Sequence, residues 1–281
     1  MACAPRGPGA HGPTTGGALY AAPLPKGERT APVDVLWVRK REDPDTGEDR
    51  VTAGLTRVRL RVAPNRHRVV AVGVAEQFPG GAGDTWRASV WLAARAASRA
   101  LGRELPEYRF LAETKGFIDG PSAGALFTAG FLAAALGVPV RPEVTMTGTI
   151  TPDGTVGRVG GLEHKLRAAL RAGKKIIGYP AGKKVLKAAN GTYVNLETLA
   201  AEQGARAVPV RNVHEAFRLL TGRALHSLRR VDPRSLGLAP SLRRQLLGWT
   251  ATWHKELVRH RRRAGRQAQS VASRARLLDR L

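Results

Sequence analysis

Cysteine and acidic side chains are scarce in this 281-residue sequence, which has 1 Cys and 22 Asp and Glu. Cys3 has no second cysteine with which to form an internal disulfide, and no Cys and His residues cluster at the spacing of metal ligands. No apolar run approaches the roughly eighteen residues that cross a bilayer, and the first 30 residues contain no apolar segment of a secretory signal. We therefore expect no metal or cofactor, no membrane partner and a cytoplasmic location.

Basic side chains are abundant, and the formal net charge is +24. The excess is densest after Ala224, where 14 Lys and Arg stand against 3 Asp and Glu, and it includes the run RHRRRAGR at 259–266. A surface this positive attracts nucleic acid without a specific site. Charge runs are usually solvated, however, and no aromatic residues alternate with this one as in single-strand binding surfaces. Non-specific nucleic-acid binding through the C-terminus is therefore expected only as an added property.

The chain divides into three parts by composition. Residues 1–32 are rich in Gly, Pro and Ala and are predicted to be a disordered tail. Residues 33–223 have the patterning of a compact domain, and residues 224–281 are predicted to be a basic helical extension.

The compact domain has an α/β pattern with mixed strand directions. Leu55–Val62 alternates between apolar and basic residues and predicts a half-buried strand, which a turn joins to a second strand at Val69–Val74 as a hairpin. Asp84 is predicted to cap a helix that ends at Leu101. The later elements are a helix at Ser122–Leu136, strands at Val144–Ile150 and Thr155–Val159, a helix at Leu162–Ala172, a strand at Lys175–Gly178, a short helix, a strand at Ala207–Val210 and a helix at Val213–Leu220.

Ser122 lies in the stretch GFIDGPSAGAL, just before an apolar run. Serine is common at helix starts, so a purely structural role is one interpretation of this residue. A serine hydroxyl is also a nucleophile when an adjacent base takes its proton. A catalytic role therefore depends on a partner elsewhere in the chain.

Three motifs supply that partner by resemblance: DGPSAG at 119–124, MTG at 146–148 and GGLxxK at 160–165. Together they resemble the proteolytic domain of the Lon family of serine peptidases, which uses a serine and a lysine. The family's serine matches Ser122 and its lysine matches Lys165, 43 residues further on. The similarity extends from about Val33 to Thr221. It implies the Lon proteolytic-domain fold, of α+β type with mixed sheets and packed helices, followed here by the helical extension.

A lysine can act as a base only when it is neutral, so its pKa must fall from an ordinary value of about 10.4. Burial among apolar groups lowers it, and Lys165 shares a helix face with Leu162 and Ala169. Taken alone, Lys165 could instead be a solvated helix lysine. His164 faces about a hundred degrees away on that helix, so we do not expect it to be the base.

The resemblance implies further roles around this pair. Thr147 matches the threonine that orients the lysine, although an ordinary strand threonine is the alternative. The oxyanion hole is implied to consist of the backbone amides of Asp119, Gly120 and Ser122. The Asp119 side chain is either a turn-forming group or a group on the substrate side, and we favour the structural role.

No nucleotide-binding motif G-x-x-x-x-G-K-[ST] is found in the sequence. The prediction is therefore an ATP-independent serine endopeptidase that cleaves unfolded or flexible polypeptides. The resemblance also implies a homo-oligomer, with a hexameric ring as the expected form. The alternative is a catalytically silent Lon-like scaffold that acts as a nucleic-acid-binding or interaction protein.

Overall fold

The structure is a computed structural model that describes residues 21–42, 49–77, 79–187, 191–226 and 240–278. The chain divides into two compact units, one up to Arg229 and one from Arg230 onward. In chain order the elements are β1 (Arg29–Glu42), β2 (Asp49–Pro64), β3 (Ala71–Glu76), α1 (Asp84–Ala100), β4 (Tyr108–Thr114), α2 (Gly124–Leu136), β5 (Val144–Met146), β6 (Thr149–Ile150), β7 (Val156–Gly157), α3 (Leu162–Arg171), β8 (Ile176–Pro180), β9 (Val185–Lys187), β10 (Tyr193–Asn195), α4 (Leu196–Ala201), β11 (Arg206–Val210), α5 (Val213–Thr221) and α6 (Pro240–Leu278).

The first unit is built on a four-stranded sheet of order β1-β2-β4-β3. The predicted strand in β2 is confirmed, and its apolar side chains Val58, Leu60 and Val62 are fully buried. The predicted hairpin is wrong, because β2 pairs antiparallel with β1 and β4, while β3 lies at the far edge and runs parallel to β4. A parallel neighbour requires a crossover, and α1 supplies it between β3 and β4.

The core lies between this sheet and two helices. Helix α2 is apolar on every side and is almost completely buried. Phe127 meets Trp86 of α1 edge-to-face, with ring centroids 4.7 Å apart, and Phe131 meets Phe110 of β4 in the same way at 5.0 Å. Each buried aromatic side chain stabilises the fold by about 2 kcal/mol through burial alone. This packing fixes the start of α2 at Gly124, which is the last residue of the DGPSAG motif.

A second sheet has three parallel strands in the order β11-β8-β5. The strand predicted from Val144 to Ile150 is interrupted, since β5 ends at Met146 and β6 begins at Thr149. The predicted turn after it is confirmed, because β6 pairs antiparallel with β7. The region predicted as one short helix before β11 also contains a strand pair, β9 and β10, ahead of α4. The fold is α/β with mixed strand directions, as predicted.

The predicted N-terminal tail of residues 1–32 is too long. Strand β1 begins at Arg29, and Ala22 is buried with its N–H bonded to the carbonyl of Leu101 at 2.8 Å. The Arg103 side chain donates to the Ala22 carbonyl, also at 2.8 Å. These contacts join residues about eighty positions apart, so local composition does not reveal them. The part of the predicted tail at 1–20 lies outside the described residues.

The second unit is represented by α6, a helix of 39 residues. It falls within the predicted extension at 224–281, of which residues 227–239 and 279–281 lie outside the described part of the chain. Its exposed large apolar side chains are Leu242, Leu246, Leu247, Trp249, Trp253 and Leu257. Among the described residues, no helix combines the length and apolar character needed to span a membrane.

Candidate active site

Ser122 lies in the loop that connects β4 to α2. The helix begins at Gly124 with Ala123 as its N-cap, so Ser122 precedes the helix instead of opening it as predicted. Its carbonyl accepts hydrogen bonds from the N–H of Gly148 at 2.8 Å and from the Thr147 hydroxyl at 3.1 Å. The break between β5 and β6 therefore holds the backbone at Ser122 in place.

Lys165 lies in the first turn of α3 and is only 3% exposed. Its Nζ donates to Ser122 Oγ at 2.7 Å and lies 3.4 Å from Thr147 Oγ1. The structure thus brings together Ser122, Lys165 and Thr147, as the sequence motifs predict. These three side chains come from the loop before α2, the break between β5 and β6, and α3. Helix α3 carries the lysine inward because Leu162 and Leu166 on the same face are buried.

The surroundings of Lys165 are apolar, and its partners within the described residues are hydroxyl groups. The nearest acid in sequence, Glu163, forms an ion pair with Arg167 at 3.0 Å. Burial lowers the pKa of Lys165 from 10.5 to about 8. No carboxylate among the described residues bonds to its ammonium form, so a large share of this lysine is neutral in mildly alkaline solution.

Asp119 joins the serine loop to the start of α1. Its Oδ1 accepts hydrogen bonds from the Thr85 hydroxyl at 2.6 Å and from the Trp86 N–H at 3.1 Å. These bonds, above all the one from Thr85, lower the pKa of Asp119. Asp119 thereby satisfies amide groups that helix α1 leaves unpaired, because its own N-cap, Gly83, has no side chain. Asp84, which we predicted as the cap, is instead the first helical residue.

One of the three predicted oxyanion donors is occupied. The N–H of Gly120 donates to the Thr85 hydroxyl at 2.9 Å, so it reaches an oxyanion only when that bond breaks, and its role as a donor stays a prediction. Its left-handed φ of 99° is open to glycine and gives the loop this direction. Within the described part of the chain, no acceptor binds the amides of Asp119 or Ser122. Those two amides remain predicted donors.

A cavity of about 490 Å³ opens above the serine and lysine, a volume typical of ligand sites. Its walls contain Trp37, Val38, Lys40, Val51, Asp119, Gly120, Pro121, Ser122, Gly160, Gly161, His164 and Lys165. His164, the other residue considered as a base, is exposed in this wall. The basic side chain that contacts Ser122 Oγ is Lys165. Sequence reasoning missed Trp37 and Val38, which β1 contributes. The available signal was the tryptophan in the mostly apolar stretch VDVLWV at 33–38.

Comparison with known proteins shows similarity to one family of peptidases. Residues 114–188 match the model of the Lon protease (S16) C-terminal proteolytic domain. The chain is 38% identical over 107 residues to the mitochondrial Lon protease homologues of Candida glabrata and Saccharomyces cerevisiae. It is 37% identical over 101 residues to the Lon protease of Neorickettsia sennetsu. Each alignment covers 35% of this chain.

The matched part of the chain spans about a tenth of the length of these relatives, with shares of 10%, 9% and 11%. Our predicted cytoplasmic location is contradicted, because the Candida and Saccharomyces relatives are mitochondrial proteins by name. The catalytic assignment of individual residues is a separate matter and rests on the site itself. The resemblance predicted from the motifs is confirmed for one segment: residues 114–188 are similar to the C-terminal proteolytic domain of the Lon family of serine peptidases.

Proposed function

We propose that the chain is a serine endopeptidase in which Ser122 is the nucleophile and Lys165 is the general base. The observation that carries the proposal is the 2.7 Å contact between Lys165 Nζ and Ser122 Oγ in an apolar setting. A nucleophile and its base must lie within such a hydrogen-bond distance. The pKa of about 8 supports a base that is partly neutral near physiological pH.

In acylation, neutral Lys165 takes the proton of the Ser122 hydroxyl while Oγ attacks the carbonyl carbon of the scissile peptide bond. The carbonyl electron pair moves to its oxygen, and the amides of Asp119 and Ser122 donate hydrogen bonds to that oxyanion. When the tetrahedral intermediate collapses, the C–N bond breaks and the Lys165 ammonium gives its proton to the departing amine. This step leaves an ester on Ser122.

In deacylation, the same lysine takes a proton from water, and the resulting hydroxide attacks the ester. The electron pair of the C–O bond returns to Ser122 Oγ, which recovers its proton from Lys165. Thr147 holds the lysine in position, since its hydroxyl lies 3.4 Å from Nζ and also donates to the Ser122 carbonyl. A positioning residue of this kind favours the rotamer in which the base meets the nucleophile.

We further propose that this hydrolysis needs no ATP, that the substrates are unfolded or flexible polypeptides, and that the chain works as a homo-oligomer, with a hexameric ring as the expected form. The first point is supported by the absence of a Walker-type motif from this sequence. An extended polypeptide suits the open cavity above Ser122, which a folded domain would enter only after local unfolding.

A second property, added to peptidase activity, is non-specific binding of nucleic acid by α6. The observation that favours it is a row of exposed cations along this helix, with a single acidic side chain among residues 240–267. The exposed basic residues are Arg243, Arg244, Lys255, Arg259, Arg261, Arg262, Arg263 and Arg266. Binding of this kind is driven by counterion release and needs no built site.

The test is hydrolysis of unfolded casein, with and without ATP, by the wild-type chain and by Ser122→Ala. Ser98→Ala is the matched control, because it also removes a hydroxyl, here one that bonds only to a carbonyl in its own helix. We expect the wild type and Ser98→Ala to cleave casein without ATP and Ser122→Ala to be inactive. Cleavage by Ser122→Ala would refute the nucleophile, and strict ATP dependence would refute the ATP-independent mechanism. No cleavage by the wild type would favour the silent scaffold.

A further inference from the structure

The cavity above Ser122 is the middle of three that share wall residues. A cavity of about 610 Å³ on one side shares Trp37, Val38, Lys40 and Asp119 with it. A cavity of about 310 Å³ on the other side shares Gly161 and His164 with it. We call the three together the cleft. An extended chain lying in the cleft passes Ser122 near its middle, so residues on both sides of the scissile bond contact its walls.

The cleft is lined by basic side chains at both ends. Arg39 and Lys115 line the first cavity, and Lys183 and Lys187 line the third. Arg39 bonds only to a backbone carbonyl, that of Phe117, at 3.4 Å. Within the described part of the chain, none of these four cations forms an ion pair with a carboxylate. Their charges are therefore available to a bound molecule.

The two carboxylates in the walls are already engaged. Asp119 accepts from Thr85 and Trp86 at the start of α1, and Glu163 pairs with Arg167. Asp119 keeps its negative charge because its donors are neutral, whereas Arg167 compensates Glu163, so the four basic side chains at the ends outnumber the one uncompensated carboxylate in the walls. A chain with acidic side chains gains attraction along its length there, whereas a basic chain meets repulsion on both sides of Ser122.

We infer that the cleft selects polypeptide segments with Asp or Glu on both sides of the scissile bond. This inference rests on the proposed peptidase function and names the class of sequence that the site prefers. Exposed charge pairs contribute little individually but add up over several positions. Four such pairs give an expected preference of about tenfold in kcat/KM for an acidic over a basic peptide at low salt. The preference should shrink as salt screens the charges.

The experiment uses three fluorogenic peptides that are identical except for the residues flanking the cleavage site, which are Glu, Gln or Lys. The cleft variant carries Arg39→Gln, Lys115→Gln, Lys183→Gln and Lys187→Gln. The control variant removes the same net charge from exposed positions that line none of these cavities, through Arg95→Gln, Arg99→Gln, Arg171→Gln and Arg206→Gln. Each protein is measured at low and at high salt.

We expect the wild type and the control variant to cleave the Glu peptide with a kcat/KM about tenfold higher than that for the Lys peptide. For the cleft variant, the two kcat/KM values should differ by less than about twofold. Equal cleavage of all three peptides by the wild type would overturn the inference and leave the proposed function standing. An equal loss of preference in the control variant would assign it to overall charge and also overturn the inference.

If the wild type cleaves none of the peptides, the proposed function fails, and binding still decides the inference. Fluorescence anisotropy with Ser122→Ala measures the affinity for the uncleaved peptides. Tighter binding of the Glu peptide, reduced in Ser122→Ala combined with the four cleft substitutions, would support the acidic preference. Equal binding of the Glu and Lys peptides would refute it.

Discussion

In the described part of the first unit two lysines are buried, and they differ in the partner that each one meets. Lys165 is 3% exposed and Lys174 is 7% exposed. The ammonium of Lys174 donates to the carboxylate of Asp34 at 2.6 Å and to the carbonyl of Pro142 at 2.5 Å. Among the described residues, the amine of Lys165 forms its hydrogen bonds with the hydroxyls of Ser122 and Thr147. The two side chains are nearly equally buried, so what distinguishes the two sites is the partner: a carboxylate for Lys174 and two hydroxyls for Lys165.

The consequences appear in the titration of both sites. Burial by itself would raise the pKa of Asp34, but hydrogen bonds from Arg57 and Lys174 outweigh it and hold that pKa below the ordinary value. Around Lys165 no charged partner among the described residues opposes the effect of burial, and its pKa falls to about 8. A carboxylate turns a buried lysine into a structural cation, and its absence leaves a base.

Replacing the base should have the largest effect. Lys165→Arg keeps a positive charge that does not titrate, so it cannot take the Ser122 proton. We expect kcat to fall by about a thousandfold or more, since general bases contribute roughly 10²–10⁴-fold. Lys175→Arg, at an exposed position, is the control and should stay within about twofold of wild type. Activity of a folded Lys165→Arg variant within a few-fold of wild type would show that the base is another group.

Removing Asp34, the carboxylate partner of the buried Lys174, should destabilise the fold. Asp34→Asn leaves Lys174 buried beside a neutral amide, which should destabilise the fold by about 3–5 kcal/mol. The comparison variant is Glu113→Gln, whose partners Arg59 and Arg61 are more exposed and whose loss should cost less than about 1 kcal/mol per pair. Urea unfolding at pH 7 measures both. Equal destabilisation by the two variants would mean that Asp34 does not compensate a buried charge.

The pH dependence of hydrolysis sharpens the same contrast. Neutral Lys165 is the active form, so kcat/KM should rise about tenfold per pH unit below its pKa of about 8 and level off above it. A rate that is flat between pH 6 and pH 9, with chemistry limiting, would contradict the lysine base.

The lowered pKa also has a cost in stability. Because folding lowers it from 10.5 to about 8, the charged form is disfavoured in the folded state by about 3 kcal/mol. This cost is fully present below pH 8 and disappears as the pH rises toward 10.5, where the unfolded chain also loses its proton. The burial that makes Lys165 a base therefore lowers the free energy of unfolding at neutral pH. Lys165→Met should unfold at higher urea than wild type at pH 7 and lose that advantage near pH 10.

The sequence predicts those parts of the site and fold that depend on local patterns. The spacing of DGPSAG and GGLxxK identifies Ser122 and Lys165, whose side chains meet in the structure. The apolar positions of β2 and α2 are equally visible, because strand and helix periodicities are local.

What the sequence does not predict depends on contacts between distant segments. The pairing of β3 with β4 requires knowing that α1 crosses between them. The amide of Gly120 donates to the hydroxyl of Thr85, which lies 35 residues earlier in the chain. Trp37 enters the cavity from β1, about eighty residues before Ser122. A hydrophobic periodicity within a short stretch of sequence cannot predict these contacts between distant residues.

Removing α6 is expected to have the smallest effect on hydrolysis. A truncation after His226 keeps Leu225, which packs against the core of the first unit, and deletes the second unit. The catalytic groups all lie before Thr221, so peptide hydrolysis should stay within about twofold of wild type, the range of a substitution remote from the site.

The same truncation should remove most binding to polyanions, because α6 carries a dense row of exposed cations. The check is affinity for a single-stranded oligonucleotide at several salt concentrations. Replacing Arg261, Arg262 and Arg263 with Gln in the full chain should reduce the slope of log K against log salt by about 2–3, one counterion per lost contact. An unchanged slope would place the binding elsewhere on the chain. A truncated protein that stays folded but loses hydrolysis would mean that α6 completes the catalytic assembly, in which case its apolar residues Leu246, Trp249 and Trp253 would be the first to test as a subunit contact.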